Sequence, residues 1–135
     1  MKSTTEIVQL MLEKDSFSKW LGIDLLLIEE NICRLGCTIK SDMLNGFEIA
    51  HGGITYSLAD SCLAFAANSC GFQCVSIETS ISHLKKVKLG DYLITEAHKL
   101  KEEGTIKTFE ITIHNQDILL VARFIGSVHV STRIW

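Results

Sequence analysis

An α+β domain, one long helix set against an antiparallel sheet, is the fold class this sequence predicts, on three observations. Only residues 53–69 are apolar for long enough to make a buried multi-turn helix. Period-two alternation recurs on both sides of it, as in Cys33, Leu35, Cys37 and Ile39 against Arg34, Gly36, Thr38 and Lys40. The last strands are separated only by Glu103-Gly104 and Asn115-Gln-Asp117, turns short enough to demand antiparallel neighbours.

The elements follow in order. Ile7, Leu10, Met11 and Lys14 fall at helical spacing, which predicts a short amphipathic helix over residues 4–14, capped by Thr4 or Thr5. Ile23 to Ile28 is the expected hairpin partner of the 33–40 strand, through Glu29-Glu30-Asn31. Ser41 to Ala50 reads as a loop carrying Asn45-Gly46, a tight-turn pair. The long helix ends at Asn68-Ser-Cys-Gly71, the order of a C-cap. Val75, Ile77, Thr79 and Ile81 then alternate with Ser76, Glu78, Ser80 and Ser82, and strands follow over Tyr92 to Leu100, 108–114 and Ile118 to Val130. A helix of about 17 residues spans roughly 25 Å, the width of five or six strands. One helix therefore covers one face of the sheet.

The chain has 135 residues, the size of a single domain over 1–135, with 47% hydrophobic and 21% charged residues and a net charge of −3. No basic patch marks a nucleic-acid partner or an anionic membrane. A composition this apolar suggests further burial between subunits. The first 17 residues are interrupted by Glu6, Glu13 and Asp15, unlike a signal peptide or membrane span, and a cytoplasmic protein is expected. Five cysteines in no CxxC pair read as small buried hydrophobes of a reducing compartment. Cys70 and Cys74 are spaced more widely than redox pairs usually are. The histidines at 51, 83, 98, 114 and 129 are scattered, so no metal site is expected.

The chemical signal is His51-Gly52-Gly53 followed at once by a hydrophobic helix with Asp60 at its middle. A carboxylate removed from water loses solvation worth several kcal/mol, so this position calls for a compensating role or a solvent-facing orientation. Glycines ahead of a helix let a ligand approach its unpaired N–H groups, where the dipole favours developing negative charge, although they also serve simple helix entry. Gly53 and Asp60 are seven residues apart, on one helix face but roughly 10 Å apart along the axis. One reacting carbon cannot touch both. The Asp60 that serves a given Gly53 is therefore expected to come from a second subunit.

Asn45, His51-Gly-Gly53, Asp60, Cys74-Val-Ser-Ile-Glu78 and Leu84-Lys-Lys-Val-Lys-Leu-Gly-Asp91 together resemble the PaaI-like branch of the hotdog-fold acyl-CoA thioesterases, from about residue 18 onward. The resemblance implies a hotdog fold, a curved antiparallel sheet wrapped around the long helix, paired into homodimers or dimers of dimers with sites at the subunit interface. It implies hydrolysis of an acyl-CoA thioester to free acid and CoA, with no cofactor beyond the CoA of the substrate. Asp60 would activate water or attack directly, and Gly53 would polarise the carbonyl with Gly52 beside it. Asn45 and Ser76 would orient the reactants, and His51 would support the thioester. Lys85, Lys86 and Lys88 would attract CoA phosphates or simply form a solvated charge cluster. One departure stands out: where relatives carry a proline-containing step, this chain has Lys85-Lys86-Val87 and no proline at all. A hotdog enoyl-CoA hydratase and a non-catalytic acyl-CoA-binding module are the alternative readings. The acyl group, whether phenylacetyl, hydroxylated aromatic or aliphatic, stays open.

Overall fold

A computed structural model describes all 135 residues. The elements are α1 (Thr4–Lys14), α2 (Ser16–Leu21), β1 (Asp24–Glu29), β2 (Ile32–Thr38), α3 (Gly52–Asn68), β3 (Phe72–His83), β4 (Tyr92–Glu103), β5 (Ile106–His114) and β6 (Leu120–Ile134), with a single 3-10 turn at Ser41–Met43. Six strands form one antiparallel sheet in the order β1-β2-β4-β5-β6-β3. The expected β4-β5-β6 meander is present. β3 sits at the far edge, paired only with β6, and the chain from its end crosses to the centre of the sheet to begin β4.

α3 is buried almost all round, through Ile54, Leu58, Ala59, Cys62, Leu63, Phe65, Ala66 and Ala67. A helix apolar on every side needs cover on every side. The sheet covers one side with Phe109, Ile111 and Phe124, all fully buried. The N-terminal helices cover part of the other: Ile7 and Val8 of α1 are buried, and Ser18 of α2 meets Ser61 of α3, Oγ to Oγ, at 2.9 Å. α1 is capped by Ser3 rather than by the expected Thr4 or Thr5, which lie in its first turn; Ser3 and Glu6 form a capping box in which each satisfies the other's backbone N–H group.

Three further details depart from the sequence reading. α2 was not expected. Asp15 caps it by accepting from the Ser18 N–H at 2.9 Å, and Gly22 ends it in the left-handed region at φ 73°. β6 runs on to Ile134, beyond the expected Val130, and carries Trp135 to the C-terminus of α3. Third, the alternation expected along β3 is broken by a bulge between Ser76 and Glu78. Val75 is therefore turned outward, 64% exposed, whereas Ser76 lines a cavity against α3.

Asn68 fastens α3 to the start of β3. Its Nδ2 donates to the carbonyls of Ala64 (2.8 Å) and Cys74 (3.2 Å), and its Oδ1 accepts from the Cys74 N–H (2.8 Å) and the Trp135 Nε1–H (2.9 Å). Asn68→Ala strips partners from several buried groups at once, each costing about 1–3 kcal/mol. The urea midpoint is expected to fall, with an unchanged slope, by an amount equivalent to about 3 kcal/mol.

Candidate active site

The sequence-predicted residues separate into two groups on one chain. The first surrounds a cleft of about 310 Å³ lined by Asn45, Gly52, Thr55, His83, Lys85 and Lys86, among others. The second surrounds a smaller cavity of about 50 Å³, lined by Asp60, Leu63, Ala64, Cys74, Ser76 and Val128. No residue lines both.

The cleft is held by crosslinks between loops. Ala50 N–H donates to Val87 O at 2.8 Å, His51 N–H to Met43 O at 2.9 Å, and the N–H groups of Leu84 and Lys85 both reach Val121 O. Val87 is buried, so the Lys85-Lys86 pair is carried at the rim on an anchored loop despite the missing proline. Lys88 lies outside this lining: its N–H closes a turn onto Asp91 Oδ2 at 2.9 Å. Asn45 is both turn residue and cleft wall. Its Oδ1 accepts from the N–H groups of Phe47 (2.9 Å) and Ile49 (3.4 Å), leaving its amide Nδ2 as the group available for a ligand.

At the mouth of α3 the structure revises the expected role of Gly53. His51 is the N-cap, and its Nδ1 accepts from the Gly53 N–H at 2.8 Å. That donor is already satisfied. Gly52, the first helical residue, lines the cleft instead, and no protein atom accepts from its N–H. The sequence reading missed His83 and Thr55. The His83 ring lies over Gly52, 3.2 Å from where a Cβ would stand, and its Nδ1 meets Thr55 Oγ1 at 3.4 Å. Thr55 Oγ1 in turn donates to Gly52 O at 3.1 Å. His83 closes the run Ile81-Ser82-His83 at the end of β3, where its side of the strand after the bulge faces α3; nothing in its sequence neighbourhood marks it.

Asp60 is half-buried with no ion pair or hydrogen bond from the protein, and burial alone raises its carboxyl above the usual carboxylate range. Beside it are Ser76 and the apolar surfaces of Leu63, Ala64 and Val128. A half-desolvated carboxylate of raised proton affinity is suited to taking a proton from water near neutral pH. Elsewhere the histidines stay apart, and no three His, Cys, Asp or Glu side chains converge. No helix is long and apolar enough to cross a membrane. Among the cysteines, Cys33, Cys37 and Cys62 are buried as expected, but Cys70 and Cys74 are only partly covered and both face the Phe72 carbonyl. The turn at Gly71 overcomes their wide spacing.

Residues 47–122, which hold Gly52, Gly53, Asp60 and Ser76, match the family described as the thioesterase superfamily. The chain belongs to the thioesterase superfamily. Within it, the acyl-coenzyme A thioesterase PaaI of Escherichia coli is 37% identical over 122 residues, covering 88% of this chain and 85% of that protein. The solved structure of the E. coli PaaI protein, from the phenylacetic acid degradation operon, superposes with a TM-score of 0.93 at 32% identity, over 97% of this chain and 95% of that one. A Streptococcus mutans protein solved bound to acetyl-CoA superposes with a TM-score of 0.80 at 27% identity, over 84% and 91% of the two chains. The fold of this thioesterase-superfamily member is thus the hotdog fold.

Proposed function

We propose that this protein hydrolyses acyl-CoA thioesters at a site built by two copies of the chain. The observation that carries the reading is Asp60, an unpaired, half-buried carboxylate of raised proton affinity in a chain of the thioesterase superfamily. Asp60 removes a proton from water as its oxygen attacks the thioester carbon. The resulting oxyanion lies at the start of α3, where the free Gly52 N–H and the helix dipole stabilise it, with Asn45 Nδ2 as a second donor. Collapse expels the CoA thiolate, which recovers the proton held by Asp60. Ser76 positions the water. His51 keeps the first turn in shape by capping it, which is a supporting role, and Lys85 and Lys86 meet the CoA phosphates at the rim.

The division of these residues between two cavities supports a shared site, because each chain presents half of the chemistry in each place. β3 supplies the means of pairing. It is an edge strand with Val75 and Ile77 turned outward, 64% and 56% exposed, an arrangement that invites another strand. We take the assembly to be a homodimer through β3, alone or within a dimer of dimers. Each reaction centre then draws its cleft from one protomer and its Asp60 from the mate. The reaction needs neither a metal nor a redox group, and the composition and pattern of the chain suit a cytoplasmic enzyme.

Incubation with aromatic and aliphatic acyl-CoAs tests the activity. Release of free acid and CoA thiol is the expected result. Loss of an enoyl double bond with the thioester intact would identify a hydratase, and tight binding with neither change would identify a carrier module.

A further inference from the structure

The turn that leaves α3 carries two thiols with no part in the hydrolysis. Cys70 and Cys74 flank Gly71, whose φ of 96° folds the chain back on itself. Both sulfurs point at one carbonyl: Cys74 Sγ lies 3.4 Å and Cys70 Sγ 4.0 Å from Phe72 O. The two thiols are thus gathered around a single acceptor. Near them is Lys107, only 5% exposed, whose Nζ donates to Asn31 Oδ1 at 3.2 Å and whose charge favours the Cys70 thiolate. No carboxylate lies within ion-pair distance of it. Its register partner Glu102 feels this ammonium without pairing with it, and Cys70 is the thiol on which the charge also acts.

We propose that Cys70 and Cys74 form a peroxide-responsive dithiol, with Cys70 as the attacking thiolate and Cys74 as the resolving thiol, whose closure to a disulfide reshapes the Asp60 cavity. The Cys74 hydrogen bond, then the Phe72 N–H and Lys107, hold the Cys70 thiol below its ordinary range against the opposing effect of burial. Cys74, the donor in that contact, is shifted the other way.

With hydrogen peroxide as oxidant, the Cys70 thiolate attacks one oxygen and the O–O bond breaks. The departing hydroxide takes a proton from solvent and leaves as water, and Cys70 becomes a sulfenic acid. The Cys74 sulfur then attacks the Cys70 sulfur, an S–S bond forms, and the S–O bond breaks. The hydroxide leaves as water with the Cys74 proton, so two electrons have passed from the thiols to the peroxide. Cys74 is also part of the wall around Asp60, with its Sγ 3.4 Å from Ala67 O. Drawing it toward Cys70 alters that wall. The effect on turnover rests on the thioesterase reading, whereas the dithiol chemistry does not.

Reduced protein freed of reductant and treated with hydrogen peroxide provides the test. The five free thiols are expected to fall by two, and the peptide joining residues 70 and 74 to lose two hydrogens. Acyl-CoA hydrolysis is expected to fall several-fold and to return with dithiothreitol. Cys70→Ser is expected to retain activity under peroxide. Cys74→Ser is expected to trap a sulfenic acid at Cys70, labelled by dimedone, and Lys107→Met to slow bridge formation several-fold. Peroxide that leaves both cysteines reduced, or first oxidises the buried Cys33 and Cys62, would overturn the dithiol. A bridge that leaves turnover unchanged would overturn its link to the Asp60 cavity. A protein that forms the bridge by mass yet never hydrolyses acyl-CoA refutes the thioesterase reading and leaves the dithiol standing.

Discussion

Asp60→Asn is expected to lower kcat for acyl-CoA hydrolysis by about 10²-fold or more while leaving KM within a few-fold of the parent, as befits loss of a proton acceptor that acts in the transition state. The amide matches the carboxylate in shape and cannot take the proton. Thiol release across a pH series provides the measurement. In the parent, kcat/KM is expected to rise with pH through the raised pKa of Asp60, so its acid limb lies above the ordinary value of 3.8. The variant loses that limb.

The same substitution is expected to stabilise the fold at neutral pH. Because burial raises the Asp60 pKa in the folded state, the carboxyl is harmless below its unfolded value, near 3.8, where both states hold the proton. As pH rises from that value to the folded-state one, the unfolded chain gives up its proton before the folded protein does, so burial of the group becomes a cost of folding that is complete above the folded-state value. The Tm advantage of Asp60→Asn should therefore appear above that range and vanish in acid. A variant that is inactive and less stable at pH 7 would show that Asp60 holds the structure together, contrary to the role given to it.

The second large effect is expected from Gly52→Pro. Proline is well tolerated at the first helical residue, its φ is already helical, and the extended His51 (φ −58°, ψ 138°) suits a residue that precedes proline. For the added Cβ, the His83 ring need give only a few tenths of an ångström. The change deletes the one N–H at the helix mouth that no protein atom uses, and a loss of about 10²-fold in kcat is expected with the helix retained by circular dichroism. Combining the two inactive variants tests the shared site. If each centre takes Gly52 from one protomer and Asp60 from the other, a mixed dimer has one doubly damaged centre and one intact centre. Unfolding and refolding an equal mixture should then restore about a quarter of parental activity, since half the dimers are mixed and half their centres are whole. If both groups came from one chain, every centre would be damaged and nothing would return.

The sheet and long helix were legible because each carries a period sustained over many residues: two along β2, β3 and β5, and an unbroken apolar run along α3. α2 escaped because six residues cannot show a period, although Asp15 and Gly22 bracket it with a cap at each end. At the site, the chemistry of Asp60 was legible because a carboxylate within an apolar helix is conspicuous. The choice between Gly52 and Gly53 was not, because it depends on which N–H the His51 ring captures, a matter of one torsion. The place of Ser76 was hidden as well. Simple alternation sets Val75 on the same face as Thr79 and Ile81, and only the bulge reverses this. Lys88 sits in a turn, where charge composition does not distinguish it from Lys85 and Lys86.

The irregularity in β3 works as a phase shifter between the two ends of the strand. Ile77 is the extra residue between the Ser76–Val128 and Glu78–Ser127 pairs, so this sequence run as an unbroken ladder would have to turn either Ser76 or the Thr79–Ile81 segment away from α3. What the acid sees is thus encoded partly in strand parity: one supernumerary residue lets Ser76 and the far end of the strand attend to the same helix.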